Sequence, residues 1–209
     1  GEYGYVLRAT GLPIYKDEGR RLIHLGLAFM QRTLDNGSTS PGARALVRAG
    51  ATRLDLPNVI QTGTFYSPDG EYYLIPELAA VFGRFAISGE YLWTFTPSAY
   101  GNMTLDRKLS KPFGPLSYQG FYVEAGYFLT ERDHRRYNKK IGAWDRTRPL
   151  ENAWAYRNKN GPPSIGRGAV QLLARVTYLD LKSGDPVVTP TVGARAGLSN
   201  DVTLGVAWY

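Results

Sequence analysis

Arg8, His24, Arg32, Arg44, Arg48, Glu77, Glu90, Glu124 and Arg175 each fall opposite the apolar residues of a strand-like segment. A guanidinium is permanently charged and presents a planar fork of donors that suits carboxylate or phosphate oxygens. A ladder of such groups, interspersed with carboxylates, can hold a small anion weakly at successive steps and pass it along. The same groups can also be solvated, or pair Arg to Glu and stiffen the sheet that carries them.

Other chemistry finds less support. Glu77, Glu90 and Glu124 recur at mid-strand on one face with no acid–base constellation around them, which is a lining pattern rather than a catalytic one. His24 and His134 are the only histidines and there is no cysteine, too few ligands for a zinc site. No metal or cofactor is therefore expected. Gly161-Pro162-Pro163 does not open a helix, so no phosphate loop is read there. Residues 132–148 are basic and interleaved with aromatics. That allows stacking on single-stranded nucleic acid, but an exposed charged loop accounts for it, and nucleic acid is not an expected partner.

The elements that must position these residues show a period of two. In 85–95, Phe85, Ile87, Tyr91, Trp93 and Phe95 share a parity, while Ser88, Glu90 and Thr94 take the other. In 72–82, Leu78, Ala80 and Phe82 lie opposite Glu77. Residues 2–10, 21–31, 116–130, 168–181 and 201–209 alternate likewise. Residues 43–56 are less regular and read as a strand lining a polar interior, or a short helix, with Arg44 and Arg48 on one face. Gly83-Arg84 predicts a minimal turn. Residues 11–20, 36–42 and 67–70 read as turns or loops, as does 182–186. Residues 97–115 and 131–166 read as long loops.

The chain has 209 residues and a formal net charge of +7, with 24 Gly, 13 Pro, 15 Tyr, 8 Phe and 4 Trp. No apolar run approaches the roughly 20 residues of a membrane helix. Helical membrane proteins are excluded, whereas β-barrels are not, because alternation cancels in any average. The basic residues are spread along strands, apart from the cluster Arg132, Arg135, Arg136, Lys139 and Lys140. Short turns alternate with long polar loops, as at the two rims of a barrel. Trp93, Phe95, Trp208 and Tyr209 lie near strand ends, where interfacial aromatics belong. Gly1-Glu2-Tyr3 begins directly in strand-like sequence, which suggests a processed chain or a piece of a longer one.

The segments EYGYVLRATGLPIY, RLIHLGLAF, PELAAVFGRFAISGEYLWT, GFYVEAGYFLTERDHRRY and TLGVAWY, in this order, resemble paired strands of the phosphate-selective porin O and P family. Glu90-Tyr91 and the stretch 127–132 with its basic sequel carry the likeness, which covers most of the chain. The resemblance implies an all-β, antiparallel transmembrane β-barrel of about sixteen strands, of which this chain would supply roughly the C-terminal half. It implies a bacterial outer-membrane homotrimer, not an enzyme, that passes small phosphate-like anions while its outer surface meets lipid. Arg44 and Arg48 are the best match to the family's arginine-bearing strand. A non-selective porin, a barrel serving as a surface or interaction protein, a closed barrel of about 8–10 strands and a soluble β-sandwich are the alternatives.

Overall fold

The computed structural model describes residues 3–34, 37–44, 58–101, 112–157, 163–183 and 197–209. In chain order the strands are β1 (Gly4–Lys16), β2 (Arg21–Arg32), β3 (Ser38–Thr39), β4 (Gly42–Arg44), β5 (Asn58–Gln61), β6 (Phe65–Tyr66), β7 (Glu71–Phe82), β8 (Phe85–Tyr100) and β9 (Pro112–Phe128). They continue as β10 (Tyr137–Asn138), β11 (Ala143–Trp144), β12 (Ala153–Arg157), β13 (Pro163–Arg167), β14 (Val170–Asp180) and β15 (Leu198–Trp208). No helix among the described residues is long and apolar enough to cross a membrane.

Seven long strands pair in the order β1-β2-β7-β8-β9-β14-β15, every neighbour antiparallel. A 12-residue strand such as β7 spans about 40 Å at 3.3 Å per residue, enough to cross a hydrocarbon layer when tilted. The sheet is open at β1 and β15 among the described residues.

Register carries the alternation across the whole sheet. One cross-strand row runs Gly11, Leu25, Leu78, Gly89, Val123, Val176, Val202. The row nearer one rim runs Ile23, Ala80, Ile87, Ala125, Ala174, Leu204. A slip of one residue would turn every one of these side chains over. The resulting apolar face is open: Leu25, Leu78, Val123, Val176, Val202 and Leu204 are all exposed. Aromatics stand at both of its margins, Phe82, Phe85, Tyr127 and Trp208 at one and Phe29, Trp93, Phe121 and Tyr178 at the other. Tyr209 is not among them. It turns to the polar face, where its hydroxyl donates to Gln171 Oε1 at 3.1 Å.

Two readings of the loops change. Residues 11–20 are not one turn, because β1 continues to Lys16 through a register shift between Gly11 and Ile14. Pro13, which has no N–H to give the ladder, sits in that irregularity. The tight connection is the 3-10 turn Asp17–Gly19. The loop read over 97–115 is shorter, since β8 reaches Tyr100 and β9 begins at Pro112, with their pairing extended through register shifts.

The two rims differ. The short-turn rim holds Asp17–Gly19 and Gly83-Arg84; the other rim holds the connections 33–70, 101–111 and 181–197. One segment breaks this division. Residues 129–169, linking β9 to β14, leave from the short-turn rim and include the β10–β11 and β12–β13 hairpins.

Candidate functional site

The polar face of the sheet is covered from both rims. From the long-loop rim, Ile60 and Phe65 pack on Ala99, Leu116, Tyr118 and Leu181. From the short-turn rim, Tyr137 and Trp144 pack against Leu22, Val81 and Ala86 with Leu12 and Tyr15. Burial of these apolar groups holds each connection down. The polar side chains that remain between them form the candidate site.

Arg8, His24 and Glu77 meet in one cluster. Arg8 Nη2 and Nε donate to Glu77 Oε1 at 2.6 and 3.0 Å, and His24 Nε2 lies 3.1 Å from the same oxygen. Arg8 is on β1 and Glu77 on β7, so the pair bridges the intervening strand β2. Gly26, cross-strand partner of Glu77, makes this possible. A Cβ at Gly26 would overlap the Glu77 carboxylate. Because the carboxylate only accepts, His24 Nε2 carries the proton there. Nδ1 then accepts from the Tyr137 hydroxyl at 2.6 Å. Arg8 Nη2 also donates to the Gly142 carbonyl at 2.9 Å. The wall cluster therefore grips the segment 137–142 directly.

Glu90, Glu124 and Arg175 form a second cluster. Arg175 Nη1 is 3.5 Å from Glu124 Oε2, and its guanidinium carbon lies 4.1 Å from the Tyr122 ring centroid. The Tyr122 hydroxyl donates to Glu90 Oε1 at 2.7 Å. Ser88 Oγ donates to Glu124 Oε1 at 3.1 Å, and Trp144 Nε1 donates to Ser88 Oγ at 3.3 Å. Glu77 and Glu90 are direct cross-strand partners, a destabilising arrangement for like charges. Arg8 and His24 on one and Tyr122 on the other offset it.

Arg32 stands apart, near the long-loop rim. Its Nε and Nη2 donate to Glu71 Oε2 at 2.9 and 2.7 Å, and the Tyr73 hydroxyl donates to the same oxygen. Glu71 is fully buried, so losing Arg32 would strand a buried charge. Glu71 shares the parity of Glu77 but lies one residue before the alternating segment 72–82, so the period does not mark it. Arg44 ends the three-residue β4, which among the described residues pairs with β5 alone. It is not on a long strand of the wall, because Ala43 beside it and Ile60 of β5 pack onto the sheet's polar face. Arg48 lies outside the described residues.

The wall arginines are thus paired: Arg8 with Glu77, Arg32 with Glu71 and Arg175 with Glu124. The unbalanced positive charge lies instead in residues 131–150, which hold seven Arg and Lys against three Asp and Glu. Lys139 and Lys140 are exposed. Lys139 Nζ lies 4.5 Å from the Tyr15 ring, and Arg135 sits over Trp144 while donating to Thr147 Oγ1 at 3.0 Å. Burial, then the Arg20 and Arg136 charges, holds the His134 imidazole below its ordinary pKa. Between this segment and the wall lies a cavity of about 230 Å³ lined by Ser88, Glu124, Arg135, Trp144 and Gln171. A smaller one of about 110 Å³ is lined by Arg8, His24, Glu77, Glu90 and Tyr122. No cluster of three His, Asp or Glu that could hold a metal ion occurs among the described residues.

An antiparallel sheet with an open apolar face, aromatic margins and a charged opposite face partly covered by its own loops defines a membrane β-barrel protein of the porin kind. The chain belongs to the phosphate-selective porin O and P family, whose model matches residues 1–209. No curated protein matches it. The family consists of bacterial outer-membrane porins, channels rather than enzymes. Its barrel architecture agrees with the all-β, antiparallel sheet.

Proposed function

We propose that the polar face lines a water-filled pore that favours small anions, phosphate-like ions among them. The charge distribution carries this reading. Salt-bridged wall arginines add little net field, whereas the cationic segment 131–150 lies over the polar face, where a solute would pass. In a low-dielectric constriction such fixed charge raises the local concentration of counter-ions. Arginine forks at Arg135 and Arg136 suit tetrahedral oxyanions. Arg8, His24, Arg32, Glu77, Glu90, Glu124 and Arg175 line the wall in this scheme, and hydrogen bonds with Arg8, His24 and Ser88 hold the covering segment in place.

Among the described residues the outer edges of β1 and β15 are ladders of unpaired backbone groups, which hydrocarbon does not tolerate. We propose that further strands pair with both and close the barrel, and that the barrel assembles as a homotrimer, as the family resemblance implies. Disulfide cross-linking of β1 and β15 to neighbouring strands, with the oligomer mass in detergent, tests both points.

Reversal potentials in planar bilayers under a KCl gradient test the selectivity. Anion preference, with chloride current inhibited by added phosphate, is the expected result. Equal permeability to both ions would leave a general porin.

A further inference from the structure

The apolar face is not uniform in charge at its two margins. Among the described outward-facing residues of the seven long strands, those charged at neutral pH are Lys16 and Arg21 at the short-turn rim and Asp180 at the long-loop rim. Arg21 is ion-paired with Asp17 of the adjoining turn at 3.5 Å, whereas Arg84, in the Gly83-Arg84 turn, adds a cation to the short-turn margin that has no carboxylate partner among the described residues. Its guanidinium carbon lies 5.0 Å from the ring centroid of the outward-facing Tyr127, and Nη1 makes one long contact of 3.4 Å with the Leu129 carbonyl. Among the described residues its guanidinium makes no other hydrogen bond, and it stands at the aromatic margin of the apolar face, where interfacial residues belong.

Directly inward of this arginine the surface is hollow. Ala125 and Ala174 are cross-strand partners, with the larger pair Tyr127 and Leu172 on the rim side and Val123 and Val176 on the other. The two alanines floor a depression of about 610 Å³ walled by Phe85, Tyr127, Leu172 and Val206. A second depression of about 540 Å³, around Pro76 and Gly89, sits at mid-face with no cation among its outward-facing neighbours.

We infer that the short-turn margin holds one anionic glycerophospholipid, its phosphate against Arg84 and one acyl chain in the depression over Ala125 and Ala174. Charge complementarity and the continuity of cation, aromatic ring and apolar hollow select this occupant. Short turns face the periplasm in bacterial barrels, so the lipid belongs to the inner, phospholipid leaflet. The site rests on the apolar face meeting lipid and is independent of which ions pass through the pore.

The test is retention of phosphatidylglycerol against phosphatidylcholine of identical acyl chains, read by native mass spectrometry of the porin released from nanodiscs. Wild type should retain phosphatidylglycerol about fivefold more, the contribution expected of one interfacial arginine. Arg84→Gln should abolish the preference and Arg84→Lys keep it. Ala174→Leu, which fills the hollow, should lower retention of both lipids. No preference in wild type, or an undiminished preference in Arg84→Gln, would overturn the headgroup site. Unchanged retention in Ala174→Leu would overturn the acyl site. Conductance of the same preparations should stay at the wild-type level, which separates failure of this site from failure of the pore.

Discussion

His24 Nδ1 and the Tyr137 hydroxyl lie 2.6 Å apart although 113 positions separate them in the chain. One belongs to the wall and the other to the segment that enters from the short-turn rim. With Glu77 on its other nitrogen, His24 links a wall ion pair to the constricting segment through one ring. Tyr137→Phe removes the donor and leaves a buried acceptor, a loss of about 1–3 kcal/mol. Hydrogen exchange of residues 137–144 should accelerate about tenfold or more, and unchanged exchange would remove His24 from this role.

Gly26 sets the geometry of the same cluster. Gly26→Ala puts a methyl where the Glu77 carboxylate lies, at a cost of about 1–3 kcal/mol. In a Glu77→Ala background the clash disappears and the cost should fall. A double-mutant cycle by urea unfolding reads this coupling; additive effects would contradict the geometry.

The proposed anion preference assigns different roles to the wall and the covering segment. Lys139→Gln with Lys140→Gln removes two exposed charges and should move the reversal potential toward zero. Arg32→Gln with Glu71→Gln removes a neutral wall pair that does not touch this segment and should leave it unchanged. Bilayer measurements giving the opposite order would place the filter on the wall.

His134 predicts a pH dependence in the covering segment. Its folded pKa is depressed by burial and by Arg20 and Arg136, so the unfolded segment binds the proton more readily. The packing of 131–150 is therefore fully stable above the unfolded value of about 6.5. It weakens as pH falls from there through the folded pKa. Limited proteolysis between pH 7.5 and 5 should show increasing cleavage in this segment, and His134→Asn should flatten the profile.

Val202 and Thr203 are neighbours on opposite faces of β15. Val202→Arg places a charge near the middle of the lipid-facing row and should cost about 2–4 kcal/mol. Thr203→Glu, on the polar face opposite Arg175, should stay within about 0.5 kcal/mol. Urea titrations in lipid vesicles compare them, and equal costs would contradict the assignment of the faces.

The strands, their apolar parities and the Gly83-Arg84 turn were legible in the sequence because they are local. Successive residues of a strand point to opposite faces, and a lipid-facing surface demands apolar side chains at every second position. The inward parity of Arg8, His24, Glu77, Glu90, Glu124 and Arg175 followed from the same period. Which of these side chains meet depended on register. Glu77 faces Glu90 across β7 and β8, yet pairs with Arg8 two strands away, and only the gap at Gly26 allows that reach. Nor did periodicity foretell that residues 131–150, read as a loop, would fold back over the polar face. That placement comes from packing Tyr137 and Trp144 on Leu22, Val81 and Ala86 and from hydrogen bonds to His24, Ser88 and Arg8. The sequence alone determined a charged face and an apolar one, since each follows from neighbours two residues apart. The tertiary structure alone decided that each wall arginine is paired with a carboxylate, Glu90 being held by Tyr122 instead, while cations of the entering segment remain in excess, because that balance is struck between groups far apart in the chain.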